Sequence, residues 1–276
     1  MQGVIPLIDA DTYEIVGLSR KTDNPGGCMH WVVGDIRDTG LIERELQGCR
    51  ILVHAAAVTH SCRQDDYLEI NYEATDRLID AANRAGVERI IFISSRAAWH
   101  DSGAYGISKK KAEESVAAKA REWLIIRMSE VYGLRDGRDF VTKIIRYVMN
   151  HRVIFCPVGM AGKLAPIHLE DAAAIVYDLA FKQGERNRII TVNGREEFSL
   201  EELARFTAAA LQKQIRIIRI PALVMYSLQK ILQVSPISTG IVPDQIPRLY
   251  CAKEQQNLGY ELRSVSDYIA ALQYHD

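Results

Sequence analysis

No stretch of 18 apolar residues occurs in the 276-residue sequence, so it contains no candidate transmembrane helix. Met1 to Ala10 has neither a basic start nor a long apolar core, and does not read as a secretory signal. An excess of charge of one sign is lacking too. The formal net charge is -1, so no global field would draw the protein to nucleic acid or an anionic membrane. Cysteine is scarce and odd in number: Cys28, Cys49, Cys62, Cys156 and Cys251 are widely spaced, with no C-x-x-C. That pattern argues against a disulfide framework or a zinc site and for reduced thiols in a cytoplasmic protein. The histidines do not cluster, and His54 and His60 would not share a helical face, so no metal is expected. Internal repeats and low-complexity segments are missing as well. What remains is an ordinary globular composition, 48% hydrophobic and 25% charged, long enough for one large domain or a domain and a lobe.

Within it, strand-like and helix-like runs alternate. Tyr13 to Leu18 reads as a buried strand leading into Ser19-Arg20-Lys21, and a turn follows at Asp23-Asn24-Pro25-Gly26-Gly27. Met29 to Val33 is the next strand, ending in Gly34-Asp35-Ile36, with a short helix over Leu41 to Leu46. Ile51 to Val53 closes on His54-Ala55-Ala56-Ala57. A helix from Asp66 to Ala85 keeps Leu68, Ala74, Leu78, Ile79 and Ala82 in helical period and stops at Gly86. Arg89 to Ile93 ends in Ser94-Ser95, a helix runs from Tyr105 to Ala120, and Trp123 to Arg127 is another strand. This alternation predicts an α/β fold: a doubly wound parallel sheet with helices on both faces. Ligands of such sheets bind outside the carboxyl ends of the strands. Ser19, Arg20, Asp35, Ala55, Ala56, Ser94, Ser95 and Met128 all follow strand ends. Past Gly133 the pattern loosens. Helices are expected over Phe140 to Met149, from about Asp171 to Phe181, after a Ser199/Glu202 capping box, from Pro221 and from Val265, with short strands at Ile189 to Val192 and Ile215 to Ile218. The expected division is a nucleotide-binding domain over 1–160 and a smaller α+β lobe over 161–276. The amphipathic run from Leu223 to Leu232 is expected to pack on that lobe.

Tyr105 and Lys109 stand four residues apart in Tyr105-Gly106-Ile107-Ser108-Lys109, on one face of a helix. A cation beside a phenol favours the phenolate and fits it for acid/base work near neutral pH. The plain alternative is a surface tyrosine beside a lysine-rich solvated face.

With this context the chain resembles the extended short-chain dehydrogenase/reductases, the NAD(P)-dependent epimerase/dehydratase group, from about Tyr13 onward. The resemblance implies a dinucleotide across the strand ends. The family's acid for the NAD ribose is replaced by Ser19-Arg20-Lys21, which favours NADP over NAD through Arg20 and a 2'-phosphate. Asp35 and Ile36 match the pair that holds adenine, although Asp35 would also serve to cap the next turn. Ala55, Ala56 and Ala57 match the small-residue turn that lets backbone approach the cofactor; close packing is the rival reading. Asn71 matches a helix-borne asparagine behind the active site, or is a surface asparagine. Ser94, Met128 and Ser129 complete the cofactor set. Tyr105 and Lys109 match the acid/base tyrosine and its lysine, which also binds the nicotinamide ribose. Asp171 reads as structural.

Two departures stand out. The family's third catalytic hydroxyl falls on Arg96, with Ser95 as its substitute one residue away. The first strand and its G-x-x-G-x-x-G turn are not found. The sequence reads as starting inside the first helix, at Val4 to Ile8, as an N-terminally truncated fold with two unpaired strand edges in mid-sheet. The resemblance implies an epimerase, dehydratase or reductase acting on a sugar nucleotide or similar alcohol/carbonyl substrate, as a homodimer paired through the helices of Tyr105 and Asn71. The Arg127–Gly133 segment also resembles relatives of a complex I accessory subunit. That supplies the alternative: a non-catalytic cofactor-binding or assembly module, or an inactive fragment.

Overall fold

A computed structural model describes residues 3–22, 30–134, 137, 139–159, 162–234 and 244–273. The expected turn at 23–27, and Cys28 and Met29, lie outside them. The chain enters through a 3-10 turn, Ile5–Leu7, with Pro6 where its missing N–H costs nothing. Then come β1 (Val16–Ser19), β2 (His30–Val33), α1 (Thr39–Glu45) and β3 (Ile51–His54). The helix expected from Asp66 opens as a π-helical stretch, Tyr67–Glu73, that buries both Tyr67 and Asn71, and continues as α2 (Ala74–Arg84). Next are β4 (Arg89–Ser95), α3 (Gly103–Lys119), β5 (Glu122–Met128), the short β6 (Val131–Tyr132), α4 (Phe140–Asn150) and β7 (Val153–Pro157). The C-terminal part holds β8 (Ile167–His168), α5 (Leu169–Tyr177), β9 (Arg188–Val192), α6 (Leu200–Ala210), β10 (Arg216–Ile220), α7 (Ala222–Val234), α8 (Gln245–Tyr250) and α9 (Val265–Gln273).

The main sheet is parallel, in the order β3-β4-β5-β9. Its two centre strands are continuous apolar runs because both faces are covered. Ile91, Leu124 and Ile126 point to one core, shared with α5 and with Val4 from the entry turn. Ile90, Phe92 and Ile125 point to the other, shared with α1, α2 and α3. This alternation is the two-residue period of a strand written in one amino-acid class. A separate core of Tyr132, Ile145, Leu203 and Ile269 joins α4, α6 and α9 into the C-terminal lobe, beside a β7–β10 ribbon. The lobe and the sheet interleave: residues 167–192 follow the expected boundary at 160, yet α5 packs on the sheet and β9 extends it. The Ser199 capping box forms with Glu202. α7 buries Met225 but leaves Leu223 78% and Val224 53% exposed, so the expected packing holds for only part of its face.

β1 and β2 pair in parallel as a sheet of their own. Between β1 and β3 the sheet is divided, and no strand among the described residues bridges them. β1 and β3 are mostly half-buried, whereas β4 and β5 are almost wholly buried. These two strands are thus less enclosed than the centre of the main sheet, where a buried, unmet backbone group would cost roughly 1–3 kcal/mol.

His54, at the end of β3, is 4% exposed, hydrogen-bonded to Thr75 at 2.8 Å and stacked on Phe92. Burial, with Lys109 adding to it, pushes its pKa down to about 3. The unfolded chain, with an ordinary histidine, binds the extra proton first, so this contribution is complete above about pH 6.5 and is lost as pH falls towards 3. Urea titrations of wild type and His54→Gln should show a difference that shrinks steadily from pH 7 to 4. A pH-independent difference would show that His54 is not held neutral.

Candidate functional site

The tips of β3, β4 and β5 converge on the first turns of α3. Gly106 makes this approach possible, since a Cβ there would lie 1.6 Å from Ser102 Oγ and 2.1 Å from the Ala97 carbonyl. Ser102 in turn ties down the loop after β4 by donating to the carbonyls of Ala97 and Trp99. Tyr105 is 9% exposed, packed edge-on against Tyr67. Burial pushes its pKa up, the Arg248 guanidinium pulls it down, and so does the polarity of the nearby Ser95 hydroxyl. Lys109 is 2% exposed. Its amine donates to the Ile93 carbonyl at 2.8 Å and lies 4.0 Å from the centre of the Phe92 ring. Burial brings its pKa down to about 7. Lys109 therefore points at the strand end, and the cation stacked on Tyr105 is Arg248, 3.9 Å from the ring centre.

Asn71 is buried and joins the loop after β3 to α3: it accepts from Val58 N–H at 2.8 Å and donates to the Val58 carbonyl and to Ser108 Oγ. Ala55, Ala56 and Ala57 leave the backbone at the β3 tip partly open to solvent. On the β1–β2 piece, Ser19 caps Lys21 N–H and Arg20 is exposed. Asp35 accepts from both the N–H and the guanidinium of Arg37, which hold its carboxyl below the usual range, while Ile36 is half-buried. Ser94 donates to Glu113 at 2.6 Å. Ser129, after Met128, donates to the Ala165 carbonyl and accepts from Arg96 at 3.2 Å. Asp171 bonds Arg263 in a neighbouring loop, while His168 caps α5.

Arg96 turns away from Tyr105. It is 4% exposed, donates to the carbonyls of Glu254 and Lys163, and pairs with Glu130 at 3.6 Å. Burial would raise the Glu130 pKa, but Lys253 and Arg96 outweigh it and hold it at about 2. Beside this cluster, Glu113 receives two hydrogen bonds from Arg127, at 3.0 and 2.7 Å, and Arg127 reaches on to Glu254 at 2.8 Å. Sequence reading missed Glu113, Arg248, Asp244, Lys253 and Glu254. Of these, Glu113 carried a usable signal, since it stands one helical turn beyond Lys109 on the same face. A cavity of about 410 Å³ lies beside the segment 255–258, lined also by Asn193, Arg195 and Tyr260. None of the residues around Tyr105 lines it.

Arg20 and the small residues at the β3 tip are open to solvent, whereas the Lys109 amine is enclosed and the Asp35 carboxylate is already held by Arg37. The amide turn for a pyrophosphate is not among the described residues. The model of the NAD dependent epimerase/dehydratase family matches residues 3–192. The chain belongs to that family. It is 27% identical over 194 residues to a ceramide reductase of Caulobacter vibrioides, covering 69% of this chain and 59% of that protein. It is 21% identical over 250 residues to the mouse (Mus musculus) mitochondrial NADH dehydrogenase [ubiquinone] 1 alpha subcomplex subunit 9, covering 90% of this chain and 65% of the relative. The chain thus spans less than two thirds of either relative. The WbmG enzyme of Bordetella bronchiseptica, solved with NAD and UDP, shares the fold with a TM-score of 0.68 at 16% identity, over 99% of this chain and 89% of that one. The doubly wound, Rossmann-like reading therefore holds. No helix among the described residues is long and apolar enough to cross a membrane.

The Glu113 side chain is 1% exposed and that of Arg127 is 7% exposed. Removing one partner of such a pair strands a buried charge, at about 3–5 kcal/mol. Arg127→Met should lose that much in urea denaturation. Adding Glu113→Gln should recover a large part of it; a further loss instead would mean that the pair is not what holds α3 to β5.

Proposed function

We propose that the chain is an NAD(P)-dependent oxidoreductase of the epimerase/dehydratase type, acting on an alcohol or carbonyl substrate such as a sugar nucleotide. The observation that carries this is Tyr105, buried on the first turn of α3 after β4, which ends at Ser95, with Lys109 one turn along the same helix. When bound, the dinucleotide supplies or accepts a hydride. Tyr105 holds or gives the proton at the substrate oxygen. Like any tyrosine it rests protonated at neutral pH, which is the state a reduction needs. Ser95 stands in for the hydroxyl that Arg96 cannot provide. Lys109, titrating near neutrality, anchors the α3 face towards the cofactor ribose. Arg20, exposed near Asp35, favours a 2'-phosphate and hence NADP. The ceramide reductase relative supports the reductive direction, and the WbmG complex supports a nucleotide-bearing substrate. Free thiols at Cys49, Cys62, Cys156 and Cys251 support a reducing, cytoplasmic setting. Pairing of two copies through α2 and α3, and substrate binding by the C-terminal lobe, belong to the same reading.

A second reading rests on Arg96. With its guanidinium sequestered among Glu130, Ser129 and the 253–254 segment, the site lacks one donor, which is worth on the order of 3 kcal/mol of barrier. A non-catalytic cofactor-binding or assembly module, as the relative in the mitochondrial NADH dehydrogenase suggests, would tolerate that loss.

Nicotinamide absorbance followed with aldehydes, ketones and sugar nucleotides separates the two. Tyr105→Phe should lower turnover by about 10²–10⁴-fold. Unchanged turnover, or none in wild type with bound cofactor, favours the module. Independently, Arg20→Ala should weaken NADPH binding more than NADH binding in calorimetry; equal effects on both would remove the NADP preference.

A further inference from the structure

Asp244 and Arg248 belong to the C-terminal lobe, yet both reach Tyr105. Asp244 is 2% exposed and accepts from the N–H of Ala104 at 2.6 Å and of Tyr105 at 3.3 Å. It thereby caps α3 from outside, because Ser102, the residue before the helix, makes no side-chain cap. The contact is tight: a Cβ on Gly103 would fall 2.5 Å from the Asp244 carboxylate, and φ there is +77°. Arg248 donates Nε–H to Asp244 at 2.8 Å, a second N–H to the same oxygen, and Nη1–H to the Thr59 carbonyl at 2.9 Å. Its guanidinium carbon then lies over two rings, 3.9 Å from the centre of Tyr105 and 5.4 Å from that of Tyr67. Three of its five N–H groups are thus placed, two of them on one carboxylate, so its charge is already matched by Asp244.

A guanidinium over a phenol face favours the phenolate, and a carboxylate nearby opposes it. The other groups facing Tyr105 are the Ser95 hydroxyl at the end of β4 and the Tyr67 ring from the π-helical stretch. Lys109, on its own helix, is turned to Ile93 and Phe92. His60 lies within the field of Arg248.

We propose that the C-terminal lobe sets how tightly Tyr105 holds its proton, through Asp244 and Arg248 acting as an opposed charge pair. This rests on the reading of Tyr105 as the acid/base residue. Both are positioning residues: they act on Tyr105 and on the end of α3. Displacing α8 would remove a backbone cap and both charges in one step, so the state of the lobe and the strength of the acid are linked.

The test is the ¹³Cζ resonance of Tyr105 in labelled protein, assigned by its loss in Tyr105→Phe and followed against pH in the full chain. Asp244→Asn leaves Arg248 unopposed and should titrate lower than wild type. Arg248→Met leaves Asp244 unopposed and should titrate higher. Each shift should be about 0.5–1 pH unit. Arg248→Lys keeps the charge and should fall between wild type and Arg248→Met. Coincident curves, or any other order among the variants that fold, overturn the proposal. A purely structural cap would loosen α3 in both variants without shifts of opposite sign. No cofactor or turnover is needed: if the order holds while Tyr105→Phe keeps its turnover, the proposed function falls and the coupling stands.

Discussion

A carboxylate buried in the middle of the molecule decides how its parts meet. Glu113 on α3 takes two hydrogen bonds from Arg127 on β5 and one from Ser94 on β4. Three elements that the sequence separates by turns and loops are thus fixed at one point. The charge is buried in a setting where an unmatched ion would cost several kcal/mol, so this register is the one the chain can afford. It also settles where the helix begins, with Tyr105 and Lys109 on the strand-tip side. The second fork of Arg127 reaches Glu254, and Arg96 takes the Glu254 carbonyl, so the 253–258 segment is drawn across the same tips. Thr191 and Asn193 complete the strap through Gln256.

That strap explains why the site is electrostatically unlike a bare tyrosine–lysine pair. Positive charge comes to it from the C-terminal half: Arg248 on Tyr105, Lys253 on Glu130. Lys109 meanwhile is so completely enclosed that burial brings its titration down to about 7. Its amine is engaged by the Ile93 carbonyl and the Phe92 ring, not by the phenol. The phenol is left to the balance between its own burial and the pair above it. Arg96 belongs to the same rearrangement. Buried beside the end of β4, its long cation holds the strap through the Glu254 carbonyl.

The sheet was legible in the sequence because its central strands are monotonous. Ile90-Ile91-Phe92 and Leu124-Ile125-Ile126 can only be buried on both faces, and short helices between such strands force parallel pairing. The Ser199 capping box was legible for the same reason, a local motif with a local partner. The Y-x-x-x-K pair was placed on one helical face by spacing alone. What could not be read were partners far apart in the chain: Asp244 with the N–H of Ala104, Arg248 with Tyr67, Lys253 with Glu130. Each is an ordinary charged residue until the fold removes water from it. β7 was missed because Val153 to Pro157 is short, ends in proline and pairs with β10, more than sixty residues away. The π-helical stretch at Tyr67–Glu73 left no periodic sign because one inserted residue shifts the phase without changing composition.

The divided sheet is held across its gap by side chains. The β1–β2 pair leads to Arg20 and Asp35, and the β3–β4–β5–β9 sheet leads into the helix of Tyr105 and Lys109. Among the described residues no strand hydrogen bond joins the two sheets. Leu18 of β1 packs instead against the core shared by α1, α2 and α3, and Arg37, just after β2, pairs with Glu69 of the π-helical stretch at 2.8 Å. Apolar packing is non-directional and an exposed ion pair is weak, so this seam is set less firmly than the centre of the main sheet, where every strand is tied to its neighbours by backbone hydrogen bonds.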